Sequence, residues 1–517
     1  MPRPLARFAA VVPVASAGQA AAVYVPLLLA TRALAFVRLL AVAWLLGEAG
    51  KREFGLYPPA LELINLLVPL VLLGLSDVAE RYAAQFERQG QLRKWLRRQV
   101  RRLLPQGLAL WCLLAAVSPW AWRWLASGPT RLLAPGYAAG LLLAVGGNVL
   151  VLALYQWLAA VLRGLRAYPA AAAMETTAAV LLLGLSAVGA LQGTALALLV
   201  AYAASNALPL AWYALALRRF LRLGAPPAAR SATAPAEAPP RVRRFAWFAW
   251  LRLWLVMAFG FVSTWGLLYL VRARPAGLDT SADFGMAYRI AQLLAYLGAA
   301  SWASGYGIAA RAWAHGARRR ALVTMLTVGR VGGALVLLLA ALLTLGRGLL
   351  AHLVHASYVP SLHELLPPML ALFAWYALLG LLARVGDLEE RPWIGAAAWG
   401  VATLTQALVI VVPPWLGLTL ATSPTLHVVA AGGTGLGAGL IVALLLLWPA
   451  RRRARLGGAI VLLALAAGLL FVPDAYVVWA AWAAGAAAVA IIALGRRRSA
   501  PWRGLRRRTR DSARARL

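Results

Sequence analysis

Apolar residues run along this chain in blocks of about twenty, continuous rather than alternating, with short stretches rich in Arg, Gly and Pro between them. The blocks lie at roughly 21–46, 54–76, 103–125, 137–162, 170–190, 195–217, 245–271, 284–309, 321–346, 361–383, 393–413, 425–448, 457–472 and 475–494. Most are long enough for a tilted helix to cross the hydrocarbon core, and 457–472 is the shortest. Continuous apolar runs exclude a closed β-barrel, whose strands alternate. Gly and Pro inside the runs are compatible with membrane helices. The pattern predicts an all-α polytopic membrane protein of fourteen transmembrane helices.

Composition agrees. Of 517 residues, 62% are apolar and 13% charged, more apolar surface than a soluble fold of this size hides from water. The 22 Trp fit interfacial belts. The net charge of +35, from 51 Lys and Arg against 16 Asp and Glu, changes the picture only through its placement. The basic residues sit between the apolar runs, where orientation signals belong. Membrane lipids are thus the expected counter-charge, and nucleic acid is excluded as a partner.

With the N-terminus inside, the even-numbered connections carry nearly all the basic residues. The 2–3 connection has Arg81, Arg88, Arg93, Lys94, Arg97, Arg98, Arg101 and Arg102, and the tail after Gly495 is equally dense. The opposite side holds only Lys51, Arg52, Arg123, Arg131, Arg272, Arg274 and Arg347. This asymmetry predicts both termini in the cytoplasm. Arg3, Arg7, the apolar stretch Phe8 to Ala15 and Ala15-Ser16-Ala17 have the form of a signal peptide. Its removal would invert every later span, against the distribution of basic residues.

The longest internal polar stretch, 218–244, is rich in Pro, Ala and Arg and reads as a mobile linker. It separates an N-terminal lobe (1–217, helices 1–6) from a C-terminal lobe (245–448, helices 7–12); helices 13 and 14 (449–494) and a basic tail (495–517) follow. The lobes echo each other at a constant offset. Glu53-Phe54-Gly55-Leu56 enters span 2, and Asp283-Phe284-Gly285-Met286 enters span 8, with Leu63 matching Leu293 and Leu67 matching Leu297. Six spans per lobe predict a parallel repeat about an axis along the membrane normal, with a cavity between the lobes.

Ionisable residues within the spans cost ~2.5 kcal/mol or more each and ask for a reason. They are Arg32, Arg38, Glu62, Glu175, Arg252, Arg289 and Arg330. Glu175 and Arg252 lie within about two turns of the cytoplasmic ends, where a long side chain can snorkel. Arg32, Arg38 and Arg330 lie too deep for that. Arg32 and Arg38, six residues apart, point some 120° from each other and can line a wide chamber but not one stripe. Arg289 enters from the other lobe, and Glu62 is a candidate counter-ion. Guanidiniums from both lobes suit an anion, phosphate above all. The alternative is interhelical ion pairs that fix packing. Arg330, Glu62, Glu175 and Arg252 remain charges of unassigned role.

No Walker A loop, nucleophile elbow or zinc-helix signature is present, so no catalytic residue, metal or cofactor is assigned. His352, His355, His363 and Glu364 fit no strong metal template and read as a solvated loop. The lone Cys112 excludes an intrachain disulfide. The run Gly432 to Gly439 allows either close helix contact or a flexible entry to span 12.

A long first span ending in Leu45-Leu46-Gly47, a short charged loop and Glu53-Phe54-Gly55-Leu56-Tyr57 together resemble the polysaccharide exporters. These are the O-antigen and capsule repeat-unit flippases of the multidrug/oligosaccharidyl-lipid/polysaccharide superfamily. Gly74-Leu75 with Arg81-Tyr82, and Asp283-Phe284-Gly285 with Ala287-Tyr288-Arg289, extend the likeness, as does the 6 + 6 + 2 plan. The family's usual Ala-Arg pair is replaced here by Ala43-Trp44. The sister group that flips the lipid-linked peptidoglycan precursor is similar at Thr31-Arg32, Val37-Arg38 and Arg289, positions it uses for the substrate pyrophosphate. Its arginine in the second span has no match here, where Val68 and Pro69 stand.

The resemblance implies a flippase, not an enzyme, in the cytoplasmic (inner) membrane, carrying a polyprenyl-pyrophosphate-linked oligosaccharide for surface polysaccharide such as lipopolysaccharide O-antigen. Arg32, Arg38 and Arg289 would contact the pyrophosphate, and polysaccharide polymerase and glycosyltransferases are the implied further partners. A cation-coupled multidrug exporter of the same architecture, and a membrane-embedded glycosyltransferase or polymerase, remain the alternatives.

Overall fold

The computed structural model describes residues 17–126, 135–223, 242–271, 274, 276–314, 317–389, 391–416 and 423–447. They form helices α1 (Ala17–Leu46), α2 (Lys51–Leu72), α3 (Leu75–Arg88), α4 (Leu92–Ala126), α5 (Pro135–Gly164), α6 (Tyr168–Leu191) and α7 (Ala195–Leu223). Then come α8 (Val242–Val271), α9 (Gly277–Ala314), α10 (Arg318–Leu345), the short α11 (Arg347–Leu353), α12 (Val359–Leu388), α13 (Trp393–Trp415) and α14 (Pro424–Leu447). Ten helical segments among the described residues are long and apolar enough to cross a membrane. Large apolar side chains point outward along them, Leu191, Leu404 and Leu445 being 73%, 62% and 66% exposed. Such an exterior is stable only against lipid, and the chain is an integral membrane protein.

The first twelve expected spans each coincide with a helix. Expected spans 13 and 14, the basic tail, the candidate signal segment up to Ser16 and most of the expected linker lie outside the described residues. Two details differ from expectation. The connection between spans 2 and 3 is helical, not a loop: Leu73 and Gly74, at φ 45° and 76°, end α2, and the amphipathic α3 turns away from it. Helix α7 also continues to Leu223, into the stretch read as linker.

Helix contacts recur from one half to the other. In the first half α1 packs on α6, α2 and α4 on α5, and α7 on both α5 and α6. In the second, α8 packs on α13, α9 and α10 on α12, and α14 on both α12 and α13. The halves meet where α1 and α2 face α8 and α9.

The seam between α2 and α9 explains why the echoed residues are what they are. A Cβ on Gly55 would lie 2.1 Å from the Leu278 carbonyl oxygen, and one on Gly285 would lie 2.5 Å from Pro58 Cγ. Each echoed glycine therefore admits the other half's backbone or ring. Pro58 and Pro59 add a second device. Proline has no N–H, so Pro59 leaves the Gly55 carbonyl without its helical partner, and Ser281 Oγ of α9 donates to that carbonyl at 2.8 Å. Trp265 Nε1 of α8 donates to Pro59 O at 3.1 Å, and Arg289 Nη2 donates to Pro58 O at 3.4 Å. The Gly55 carbonyl, which hydrocarbon would leave unsatisfied, thus becomes a bond between the halves, and the Pro58 and Pro59 carbonyls accept a further one each.

The glycine run in α14 serves close contact. Cβ atoms at Gly435 and Gly439 would meet the Ala402 and Ala398 carbonyl oxygens of α13 at 2.4 and 2.7 Å, the spacing of a small-residue helix interface.

Gly55→Ala should lower the melting temperature in detergent, because the Leu278 backbone cannot step aside; overpacking of this kind costs about 1–3 kcal/mol. Gly184→Ala, where no atom stands within 4 Å of the new Cβ, should leave it unchanged or raised.

Candidate functional site between the halves

Two ion clusters hold the ends of the seam. At one end, Lys51 Nζ lies 2.7 Å from Asp283 Oδ1 and donates to Ser357 O at 2.8 Å. Its ammonium stands 5.0 Å from the centre of the Tyr358 ring. Arg52 and Asp279, both more exposed, approach to 3.8 Å. Trp44 Nε1 donates to Leu353 O at 2.8 Å, and its ring meets His355 edge-on. Burial outweighs Lys51 and holds the Asp283 carboxyl above its ordinary value.

The other end closes around Arg252 of α8. Its guanidinium pairs with Asp387 at the end of α12 and lies 3.3 Å from Asp77 of α3. Arg384 lies 3.6 Å from Asp77 and 3.4 Å from Asp387. The Arg252 and Asp387 side chains are only 6% and 2% exposed, so Arg252 is held in a buried network rather than reaching for headgroups as its position suggested. Beside it, a Cβ on Gly74 would lie 2.3 Å from the Ala246 carbonyl oxygen, so the α2–α3 corner sits directly on α8. Glu175 pairs with Arg163 at 3.1 Å inside the first half.

Between these ends lies a charged middle. Arg289 Nη2 of α9 stands 2.9 Å from Glu62 Oε1 of α2, and the carboxylate is 3% exposed. Arg289 Nη1 also donates to Gln292 Oε1 at 2.7 Å. Gly260 of α8 makes room for this pair: a Cβ there would lie 2.6 Å from Glu62 Oε2 and 2.9 Å from the Tyr288 hydroxyl. The Arg32 guanidinium of α1 stacks over the Tyr296 ring of α9, 4.0 Å from its centre, a cation–π contact between the halves. Arg38 Nη1 donates to Tyr57 Oη at 2.8 Å. Tyr202 of α7 lies within electrostatic reach of Tyr57, Tyr296, Arg38 and Arg289, which draws these groups into one neighbourhood. At helical rise, Arg38, Glu62 and Arg32 lie about 12–21 Å from the Lys51 end, and Arg289, six residues past Asp283, lies about 9 Å from it.

Three guanidiniums stand in this neighbourhood, and Arg289 alone of them pairs with the Glu62 carboxylate. Among the described residues neither Arg32 nor Arg38 makes an ion pair, and the Nε groups of Arg32, Arg38 and Arg289 are buried without a hydrogen-bond partner. Such a constellation is charged to receive an anion, and its free donors have the fork geometry that suits phosphate. Arg330 on α10 is half-buried and joins no ion pair among the described residues; the structure does not bring it to this group. His355 caps the short turn before α12 by accepting from Ser357 N, and no group of three or more His, Cys, Asp and Glu among the described residues is placed to hold a metal. The tyrosine frame of Tyr57, Tyr202, Tyr288, Tyr296 and Tyr376 was not read from the sequence, since single tyrosines in apolar runs carry no distinguishing pattern. The partners of Arg252 were missed because Asp77 and Asp387 are remote from it in the chain.

No family model and no curated protein sequence matches the chain. Solved structures do. The lipid II flippase MurJ in its inward closed conformation superposes with a TM-score of 0.59 at 12% identity, over 93% of this chain and 99% of that one. A MATE in the straight conformation gives 0.57 at 13% identity, over 86% and 96%. An inward-facing multidrug resistance MATE family transporter of the MOP superfamily gives 0.55 at 14%, over 84% and 98%. The chain shares the fold of these transporters.

Arg252→Ala should cost about 3–5 kcal/mol, since it leaves the buried Asp387 carboxylate only the more exposed and more distant Arg384. Pairing Arg252→Met with Asp387→Leu should recover most of that in the same thermal unfolding assay.

Proposed function

We propose that the protein is a flippase that moves a polyprenyl-pyrophosphate-linked oligosaccharide across the cytoplasmic membrane for surface polysaccharide assembly. The observation that carries the proposal is the charge imbalance between the two end clusters, where Arg32, Arg38 and Arg289 stand in one neighbourhood and Glu62 pairs with Arg289 alone. A cation would be repelled there; a pyrophosphate would satisfy the excess charge and the buried donors together.

In this reading the Lys51 end faces outward and the Asp77 end faces the cytoplasm, as the distribution of basic residues indicates. The lobes are 1–217 and 245–448, joined by the 218–244 linker. The headgroup enters between them while the polyprenyl tail stays in lipid, and the lobes rock about the α2–α9 seam. This chain's own groups contribute positioning and charge compensation, and no bond is made or broken. Enzymes that build the repeat unit supply the substrate, and a polymerase consumes it.

The shared fold with multidrug resistance transporters favours a second reading, an exporter of cationic drugs. The three guanidiniums oppose it, and drug resistance on expression is its test.

Arg32→Ala, Arg38→Ala and Arg289→Ala should each lower translocation of a fluorescent polyprenyl pyrophosphate in vesicles by about tenfold or more, the loss of one charge-assisted contact. Arg32→Ala and Arg38→Ala should still elute as folded protein, and Arg289→Ala, which unpairs the buried Glu62, is compared in a Glu62→Gln background. Wild-type rates in all three variants would remove the arginines from the mechanism.

A further inference from the structure

Glu62 is at odds with the anion site proposed around it. It adds negative charge where an anion is to bind, and its carboxylate is almost fully buried. Burying either Glu62 or Arg289 alone would be strongly unfavourable, and burying them together at contact distance offsets most of that cost. The pair also spans the seam, since Glu62 belongs to α2 and Arg289 to α9.

We infer that Glu62 is a built-in surrogate for the substrate anion. It neutralises Arg289 when the chamber is empty, which lets the unloaded protein close, and it gives up that guanidinium to the incoming phosphate. The inference rests on the flippase reading and adds to it how the empty carrier returns.

The geometry fits such an exchange. Glu62 is held loosely: Oε2 is 3.5 Å from Asn65 Nδ2, and Oε1 has no hydrogen bond of good geometry, only the close approach of Arg289. On its other sides stand Gly260 of α8, the Tyr288 hydroxyl and, from α12, Tyr376. Among the described residues Arg289 is its one ion-pair partner. Arg289, by contrast, is fixed by Gln292 and the Pro58 carbonyl. When the two part, the carboxylate is the group free to move. A phosphate that takes Arg289 leaves Glu62 unpaired in a dry seam, and the halves must separate to hydrate it. Loading thereby undoes a tie between the halves, and unloading restores it.

The test uses the full chain in vesicles with a fluorescent polyprenyl pyrophosphate as probe. It measures affinity, net flipping into an empty leaflet, and exchange against unlabelled probe already present in both leaflets. Glu62→Gln keeps the shape and removes the competing charge. It should bind the probe about tenfold more tightly. It should retain exchange, in which the carrier always returns loaded, and lose net flipping, which requires an empty return. Glu62→Asp, which keeps the charge, should restore net flipping. Unchanged affinity in Glu62→Gln, or loss of exchange together with net flipping in a variant that elutes as folded protein, overturns the surrogate role. Failure of the wild-type chain to bind the probe at all overturns the flippase reading instead, a result distinct from the other two.

Discussion

A guanidinium in the middle of a bilayer needs a counter-charge, a polar frame or water, and the packing of this protein is organised around that requirement. Arg289 takes Glu62 as its counter-charge and Pro58 O as a further acceptor. Arg32 takes the face of Tyr296, and Arg38 takes the Tyr57 hydroxyl. The contacts of Arg32 and Arg289 join the two halves, so satisfying these charges and bringing the halves together are one event. The small and rigid residues nearby follow from the same need. Gly260 leaves space for the Glu62 carboxylate, and Pro58 and Pro59 turn the backbone of α2 toward α9 and α8.

The helices were legible because hydrocarbon imposes a length and an apolar character that a sequence displays directly. Helix α3 was not, because the Asp, Glu and Arg residues of its amphipathic sequence break the continuous apolar run by which the other helices are recognised. Arg32, Arg38, Arg289 and Glu62 stood out by their depth. Which arginine Glu62 would choose was beyond the sequence, since Arg38 and Arg289 are both within a plausible turn count of it. Arg252 was misjudged for a physical reason: nearness to a helix end permits snorkelling, but two carboxylates brought in from α3 and α12 offer a better site than the headgroups.

The internal echo shows how one motif serves two purposes. Glu53 and Asp283 hold equivalent places before the Phe-Gly pair. Glu53 stays within its own half, where it accepts from the Tyr137 hydroxyl and from Ala195 N at the start of α7. Asp283 crosses the seam to Lys51. The position equivalent to Lys51 is Ser281, which bonds the Gly55 carbonyl across the same seam. The glycines kept their role in both halves because it depends on the absence of a side chain, while the polar residues beside them diverged once each had a different neighbour to satisfy.

The ion clusters at the two ends define where the halves meet but are poorly suited to hold them there. The exposed pair of Arg52 and Asp279 contributes ~0–1 kcal/mol in water. The buried network of Arg252, Asp77, Arg384 and Asp387 recovers hydration when it opens, which cancels much of its Coulomb attraction. The stronger hold is the close packing of Gly55, Gly285 and Gly74 against opposing backbone and ring atoms, which has no such compensation. The charges fix the register of the halves at little net cost, and close packing adds to the hold at each end, at Gly55 and Gly285 beside the Lys51–Asp283 pair and at Gly74 beside Arg252.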